Sequence, residues 1–198
     1  MSQQVKVAIA YHSGFGHTEV LAHAVAAGAE NAGAKATAIS VADPENLNWK
    51  QLAEADAIIF GSPTYMGSVS APFKAFMDAS SKIWSQQGWK DKLAAGFTNS
   101  SSQSGDKLNT LVQLSVYAAS HSMNWISLGL MPGNNSSQGS TTDLNRLGSF
   151  LGAMAQSNCD QCAELTPPQS DRDTAQALGA RVAAAAQRWQ LKTEPCNH

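Results

Sequence analysis

Residues 10–21, AYHSGFGHTEVL, pass from an apolar run into a helical pattern through Ser13, Gly14, Phe15, Gly16, His17 and Thr18. The hydroxyls of Ser13 and Thr18 and the amides from Gly14 to Thr18 stand where a helix begins. Free N–H groups and the positive end of a helix make such a place an anion site. The turn lacks the lysine of a Gly-x-x-x-x-Gly-Lys-Ser/Thr phosphate loop, so a nucleoside triphosphate with magnesium is poorly served. It also lacks the third glycine of Gly-x-Gly-x-x-Gly. What remains is an uncharged cradle of amides and hydroxyls, suited to a terminal phosphate monoester.

Two further loops carry related chemistry. Ser62-Pro63-Thr64-Tyr65-Met66-Gly67 and the stretch Asn99 to Gly105 hold few ionisable groups but many backbone donors, hydroxyls and amides, with Tyr65, Met66 and Trp84 as flat or soft apolar surfaces nearby. That set suits a planar heterocycle with a polar edge, such as isoalloxazine, which needs donors along one edge, apolar cover on its faces and little charge. Other chemistries fit less well. A phospho-receiver needs paired acids after its first strand, where this chain reads Tyr11-His12-Ser13. His12, His17 and His23 fall on a strand end, a loop and a helix, so no metal site is expected from them. Cys159-x-x-Cys162 has only Cys196 as a third thiol, and the three read as reduced cysteines. Glu54, Asp56 and Asp78 read as solvated or capping carboxylates rather than an acid/base pair. Taken alone, His121 caps a helix end, and Trp49, Trp89, Trp125 and Trp189 serve packing.

These loops require particular supports. Val5 to Ala10, Ala34 to Val41, Asp56 to Gly61, Lys92 to Thr98 and Asn124 to Leu130 read as strands, several of them apolar on both faces as buried parallel strands are. Helical spacing follows most of them: Leu21, Ala24, Val25 and Ala29; a short stretch from Trp49 to Glu54; Phe73, Phe76 and Met77 after Ala71-Pro72; Leu108 to Tyr117, ending near His121. A last helix spans Asp171 to Leu191, with Leu178, Val182 and Trp189 expected to face inward. Met131 to Pro168, rich in Gly, Ser, Asn and Pro, reads as loop with short helical pieces around Leu144 to Ala155. Strands alternating with helices give an α/β, doubly wound parallel sheet with helices on both faces, and ligands of such folds sit at the carboxyl ends of the strands. The three loops stand at that edge.

Composition sets the outer limits. With 198 residues, 43% of them hydrophobic and 14% charged, the chain is expected to form a single domain over 1–198. A net charge of −2 with scattered acids and bases offers no basic face for nucleic acid. No apolar run is long enough to cross a membrane or act as a signal, so the expected location is the cytoplasm.

Four blocks in register, YHSGFGHTE, AIIFGSPTYMGSVSAPFKAFMD, KLAAGFTNSSSQSG and AASHSMNWISLG, resemble the WrbA family of flavodoxin-like NAD(P)H:quinone oxidoreductases, over residues 5 to about 130. The resemblance implies a flavodoxin-like, five-stranded parallel sheet in the order 2-1-3-4-5, FMN as cofactor and NAD(P)H as co-substrate. Position by position, it implies that Ser13, Gly14, Phe15, Gly16, His17 and Thr18 bind the FMN phosphate. It places Pro63, Thr64, Tyr65, Met66 and Gly67 at the isoalloxazine, and Asn99, Ser100, Ser101, Ser102, Gln103 and Ser104 around its pyrimidine edge and ribityl chain. Phe15 and Trp84 would meet substrate, and His121 would be the catalytic donor beside flavin and quinone. The chain departs from the family in reading Thr64-Tyr65-Met66-Gly67 for Thr-Arg-Phe-Gly, and in a Ser-rich third loop for a Gly-rich one. The implied activity is two-electron, ping-pong hydride transfer from NAD(P)H to a quinone or other small acceptor by a homo-oligomer, dimer or tetramer. The alternatives are a flavodoxin-type electron carrier and an NAD(P)H-dependent FMN reductase.

Overall fold

A computed structural model of the chain describes residues 4–191; Cys196 lies outside them. In chain order the elements are β1 (Lys6–Tyr11), α1 (His17–Asn31), β2 (Lys35–Ser40), α2 (Trp49–Ala53), β3 (Ala57–Tyr65), β4 (Ser68–Val69) and α3 (Ala71–Ala79). They continue as α4 (Ser81–Ser85), β5 (Leu93–Ser100), α5 (Lys107–Ser120), β6 (Asn124–Trp125), β7 (Ala153–Gln156) and α6 (Gln169–Leu191). The main sheet runs β2-β1-β3-β5-β6, all pairs parallel, which is the expected order because β4 is only a hairpin arm on the end of β3. Central strands are buried on both faces: β3 is fully buried from Ala57 to Thr64.

Alternate strand residues feed two cores. Val7, Ile9, Tyr11, Ile59 and Phe97 face α1 and α6 on one side. Ala8, Ala10, Ile58 and Phe60 face α2, α3 and α5 on the other, so helices cover both faces. Helices α1 and α6 approach through glycine: a Cβ on Gly28 would lie 1.9 Å from the Gln176 carbonyl oxygen, and one on Gly179 would lie 1.9 Å from that of Val25. Only hydrogen at those positions allows so close a crossing.

The fifth strand differs from expectation. Only Asn124–Trp125 pair with Leu93 and Ala94, and the place that Asn124 to Leu130 was expected to fill along β5 is taken by β7, whose Ala153 to Gln156 lie beside Phe97 to Ser100. The strand is thus split by an excursion over 126–152, and the end of the segment expected to be helical, 144–155, is a strand. Trp125 explains the departure in part, since its indole Nε1–H donates to the Leu151 carbonyl at 2.9 Å and pins the returning chain. Trp189 is also corrected: it is 45% exposed, whereas Leu178 and Val182 are buried as expected.

Candidate active site at the carboxyl edge

Chain reversals after β1, β3, β5 and β7 all emerge at the carboxyl edge of the sheet. Gly16 caps α1 with φ +84°, which frees the first-turn amides to face outward. The second loop is a tight hairpin. Met66 and Gly67 both have positive φ (49° and 75°), and Thr64 pairs with Val69, Tyr65 with Ser68. Beneath it the Thr64 hydroxyl lies 2.8 Å from those of Thr98 and Thr110, which ties the hairpin to β5 and α5.

Tyr65 folds back over the first loop. The Gly14 backbone N–H donates to its hydroxyl, and a Cβ on residue 14 would stand 2.7 Å from that oxygen, so a larger residue there would push the Tyr65 ring aside. Burial raises the Tyr65 pKa, with the Gly14 hydrogen bond opposing, and the phenol stays protonated at neutral pH. Phe15 meets Tyr65 edge to face at 6.4 Å, yet is 77% exposed.

A cavity of about 360 Å³ lies between these loops, lined by Ser13, Phe15, His17 and Thr18 from the first, Pro63, Thr64 and Tyr65 from the second, and Asn99, Ser100 and Ser101 from the third. Among the described residues, no Asp, Glu, Lys or Arg lines it. Ten expected residues therefore meet. Gly14 and Gly16 shape the first loop. Met66, fully exposed, and Gly67 form the hairpin tip. Gln103 and Ser104 turn into a separate groove with Asp106 and Leu108, and the Ser102 carbonyl points down to Lys107.

Two expected residues are not at this cavity. Helix α5 starts at the carboxyl edge and runs back, so His121 at its end precedes β6, which pairs with the start of β5. His121 is 3% exposed, hydrogen-bonded through Nε2 to Ser80 Oγ at 2.9 Å, with its ring 4.5 Å from that of Trp89. Trp84, on α4 beside Ser80, is at the same far edge and 54% exposed. The catalytic assignment of His121 thus has no support within one chain: the return path of the helix carries it away from the loops.

Sequence reasoning missed a fourth segment. Ser157, Cys159 and Gln161, just past β7, complete the cavity wall. Ser157 donates to Asn99 Oδ1 at 3.0 Å, and His17 Nε2–H donates to the Gln161 carbonyl at 2.9 Å, so this segment is latched to both the third and first loops. Its only signal in the sequence is that a chain leaving the carboxyl end of an edge strand must pass the same ligand edge.

This arrangement of neutral loops at the carboxyl edge of a 2-1-3-4-5 sheet defines a flavodoxin-like flavoprotein oxidoreductase. The chain belongs to the NADPH-dependent FMN reductase family, whose model matches residues 9–131. It is WrbA-like: the flavodoxin, WrbA-like protein from Agrobacterium tumefaciens is 42% identical, with a TM-score of 0.73 over 93% of this chain and 99% of that one. Flavodoxin FldP of Pseudomonas aeruginosa (strain UCBPP-PA14) is 41% identical over 92% of this chain and 97% of its own. An NAD(P)H dehydrogenase (quinone) of Archaeoglobus fulgidus is 30% identical over 92% and 98%.

FMN is the cofactor of this class, and the residues present fit it. The Ser13 hydroxyl is buried with no partner among the described residues, beside amides left free by the start of α1. An unpaired buried hydroxyl is unfavourable unless a ligand satisfies it, and a phosphate monoester supplies acceptors for both groups.

Proposed function

We propose that this chain is an FMN-dependent NAD(P)H:quinone oxidoreductase. The observation that carries the reading is the orphaned Ser13 hydroxyl beside the amides of α1, in a cavity lined by no Asp, Glu, Lys or Arg among the described residues, with exposed Phe15 and Tyr65 on its wall and exposed Met66 at the tip of the adjoining hairpin. FMN, when bound, supplies two-electron chemistry between a nicotinamide and an acceptor.

The chain's residues supply binding, orientation and exclusion of water. Ser13, Thr18 and the first-turn amides hold the phosphate, aided by the positive end of α1. His17 donates from Nε2 to the Gln161 carbonyl, and so closes the segment from Ser157 over the phosphate end. Pro63, Thr64 and Tyr65 wall the ring on one side, while hydroxyls and amides of Asn99 to Ser101 meet its polar edge. Phe15 and Met66 give nicotinamide and quinone a shared apolar landing, as alternate occupation by two flat substrates requires. The exposed Trp84 covers the cavity of a neighbouring subunit in a dimer or tetramer, which sedimentation velocity would detect.

Apoprotein mixed with FMN is expected to bind it, to be bleached anaerobically by NADPH or NADH, and to recover its colour with benzoquinone alone. FMN-loaded protein that oxidises neither nicotinamide in the presence of benzoquinone overturns the reading. The 41% identity to Flavodoxin FldP supports a second reading, an electron carrier. In that case colour is lost only when a separate reductase protein is added.

A further inference from the structure

Lys107, the first residue of α5, is 1% exposed although Asp106 and Leu108 beside it lie at the surface. Its ammonium donates to Ser100 Oγ at 2.9 Å and to the Ser102 carbonyl at 2.6 Å, and Ser100 Oγ donates to the same carbonyl at 2.9 Å. Gly105, at φ +55°, pinches the loop shut: a Cβ there would stand 2.4 Å from Ser100 Oγ. Both acceptors of the ammonium are neutral. The carboxylate that acts on it through space, Asp171, is already engaged, since Arg146 donates to it from Nε at 2.7 Å and from Nη2 at 2.8 Å, as does the Gln156 N–H at 2.9 Å. That pair carries no net charge, so the Lys107 cation stands unbalanced beneath the third loop. A buried cation held only by neutral acceptors is costly, and negative charge placed on the other side of the loop offsets the cost.

We propose that Lys107 is a positioning residue that fixes the Ser100–Ser102 turn and lends it positive charge, so that the loop favours the reduced, more negative form of the bound cofactor. It acts through the loop, because Ser100 and Ser101 line the cavity and the ammonium does not. The inference rests on the FMN reading above. Asp171 on α6 and Arg146 in the β6–β7 excursion are the charged groups that act on it, and the exposed Asp106 lines the same outer groove; burial holds its pKa down to about 8, with Asp171 opposing and Arg146 adding.

The test is the two-electron midpoint potential of FMN bound to the full chain, compared among wild type, Lys107→Met and Lys107→Arg. Lys107→Met is expected to weaken binding of reduced FMN about tenfold more than that of oxidised FMN, which is a shift of about 30 mV to more negative potential for a two-electron couple. Lys107→Arg is expected to keep the wild-type potential. In wild type the potential falls more steeply with pH above about 8, where the ammonium loses its proton; this arm needs no substitution and decides the matter if Lys107→Met fails to fold. A Lys107→Met potential equal to wild type, a Lys107→Arg potential equal to that of Lys107→Met, or an unbroken wild-type slope through this range overturns the proposal while leaving the cofactor reading intact. Wild type that takes up no FMN defeats the cofactor reading and this inference together.

Discussion

The two edges of the sheet are built from similar residue types and end in opposite states. At the amino edge, Ser80, Tyr117, His121 and Trp89 close on one another: Ser80 donates to the Met77 carbonyl at 2.7 Å and accepts from Tyr117 Oη at 2.8 Å. The one hydroxyl proton of Ser80 is thus spent, so His121 Nε2 must donate to it, and the ring is the neutral Nε2–H tautomer. His121 Nδ1 and Trp89 Nε1 lack partners among the described residues, but they are sealed inside an aromatic cluster with Phe60, Phe76 and Trp49, at 3% and 0% residue exposure. At the carboxyl edge the orphan is Ser13 Oγ, and it adjoins open space. An unpaired polar atom indicates a ligand only where there is room for one.

Substitutions and pH should act differently on the two edges. The largest effect is expected at the closed edge, where Trp89→Ala removes a fully buried ring and should cost about 3 to 5 kcal/mol of stability, read by urea unfolding. Acid should act on the same edge. Burial lowers the His121 pKa from 6.5 to about 4. The unfolded chain therefore takes up a proton below pH 6.5 that the folded one refuses until about 4, so this contribution is present above 6.5 and lost as pH falls. The loss should be about 3 kcal/mol, at 1.36 kcal/mol per pKa unit, and His121→Gln should flatten it in urea titrations across that range. The open edge should respond in binding instead. Ser13→Ala should weaken FMN by about 1.5 to 3 kcal/mol, about 10- to 100-fold by fluorescence titration, the range for a hydrogen bond to a charged group. Its unfolding midpoint should barely move. Met66→Ala, at a fully exposed hairpin tip, should change stability by less than about 0.5 kcal/mol and raise KM for the quinone with kcat nearly unchanged.

Local patterns carried most of the fold. The apolar runs of β1, β3 and β5 and the helical spacing of α1, α3, α5 and α6 are visible because each follows one period over enough residues. The split fifth strand is not visible: β7 spans four residues, and its partner β5 is far away in sequence. Pairing of so short a segment is decided by contacts such as Trp125 to Leu151, which no local period encodes. The first and second loops were legible because glycine, hydroxyl and proline placement fixes their turns. The place of His121, away from the cavity of its own chain, was not legible, since a resemblance in sequence carries a residue's identity but not which end of its own sheet it occupies. Lys107 was also hidden, because a lysine next to exposed Asp106 and Leu108 in sequence reads as surface until the fold covers it.

Uncharged hydroxyls and helix-end amides at the first loop are expected to clasp a phosphate monoester. Calorimetry of the apoprotein with FMN and with riboflavin, which differ only in that phosphate, tests it most directly. One FMN should bind per chain, at least about a hundredfold more tightly than riboflavin, roughly 3 kcal/mol or more. Equal affinity for the two, or no uptake of FMN, would contradict it.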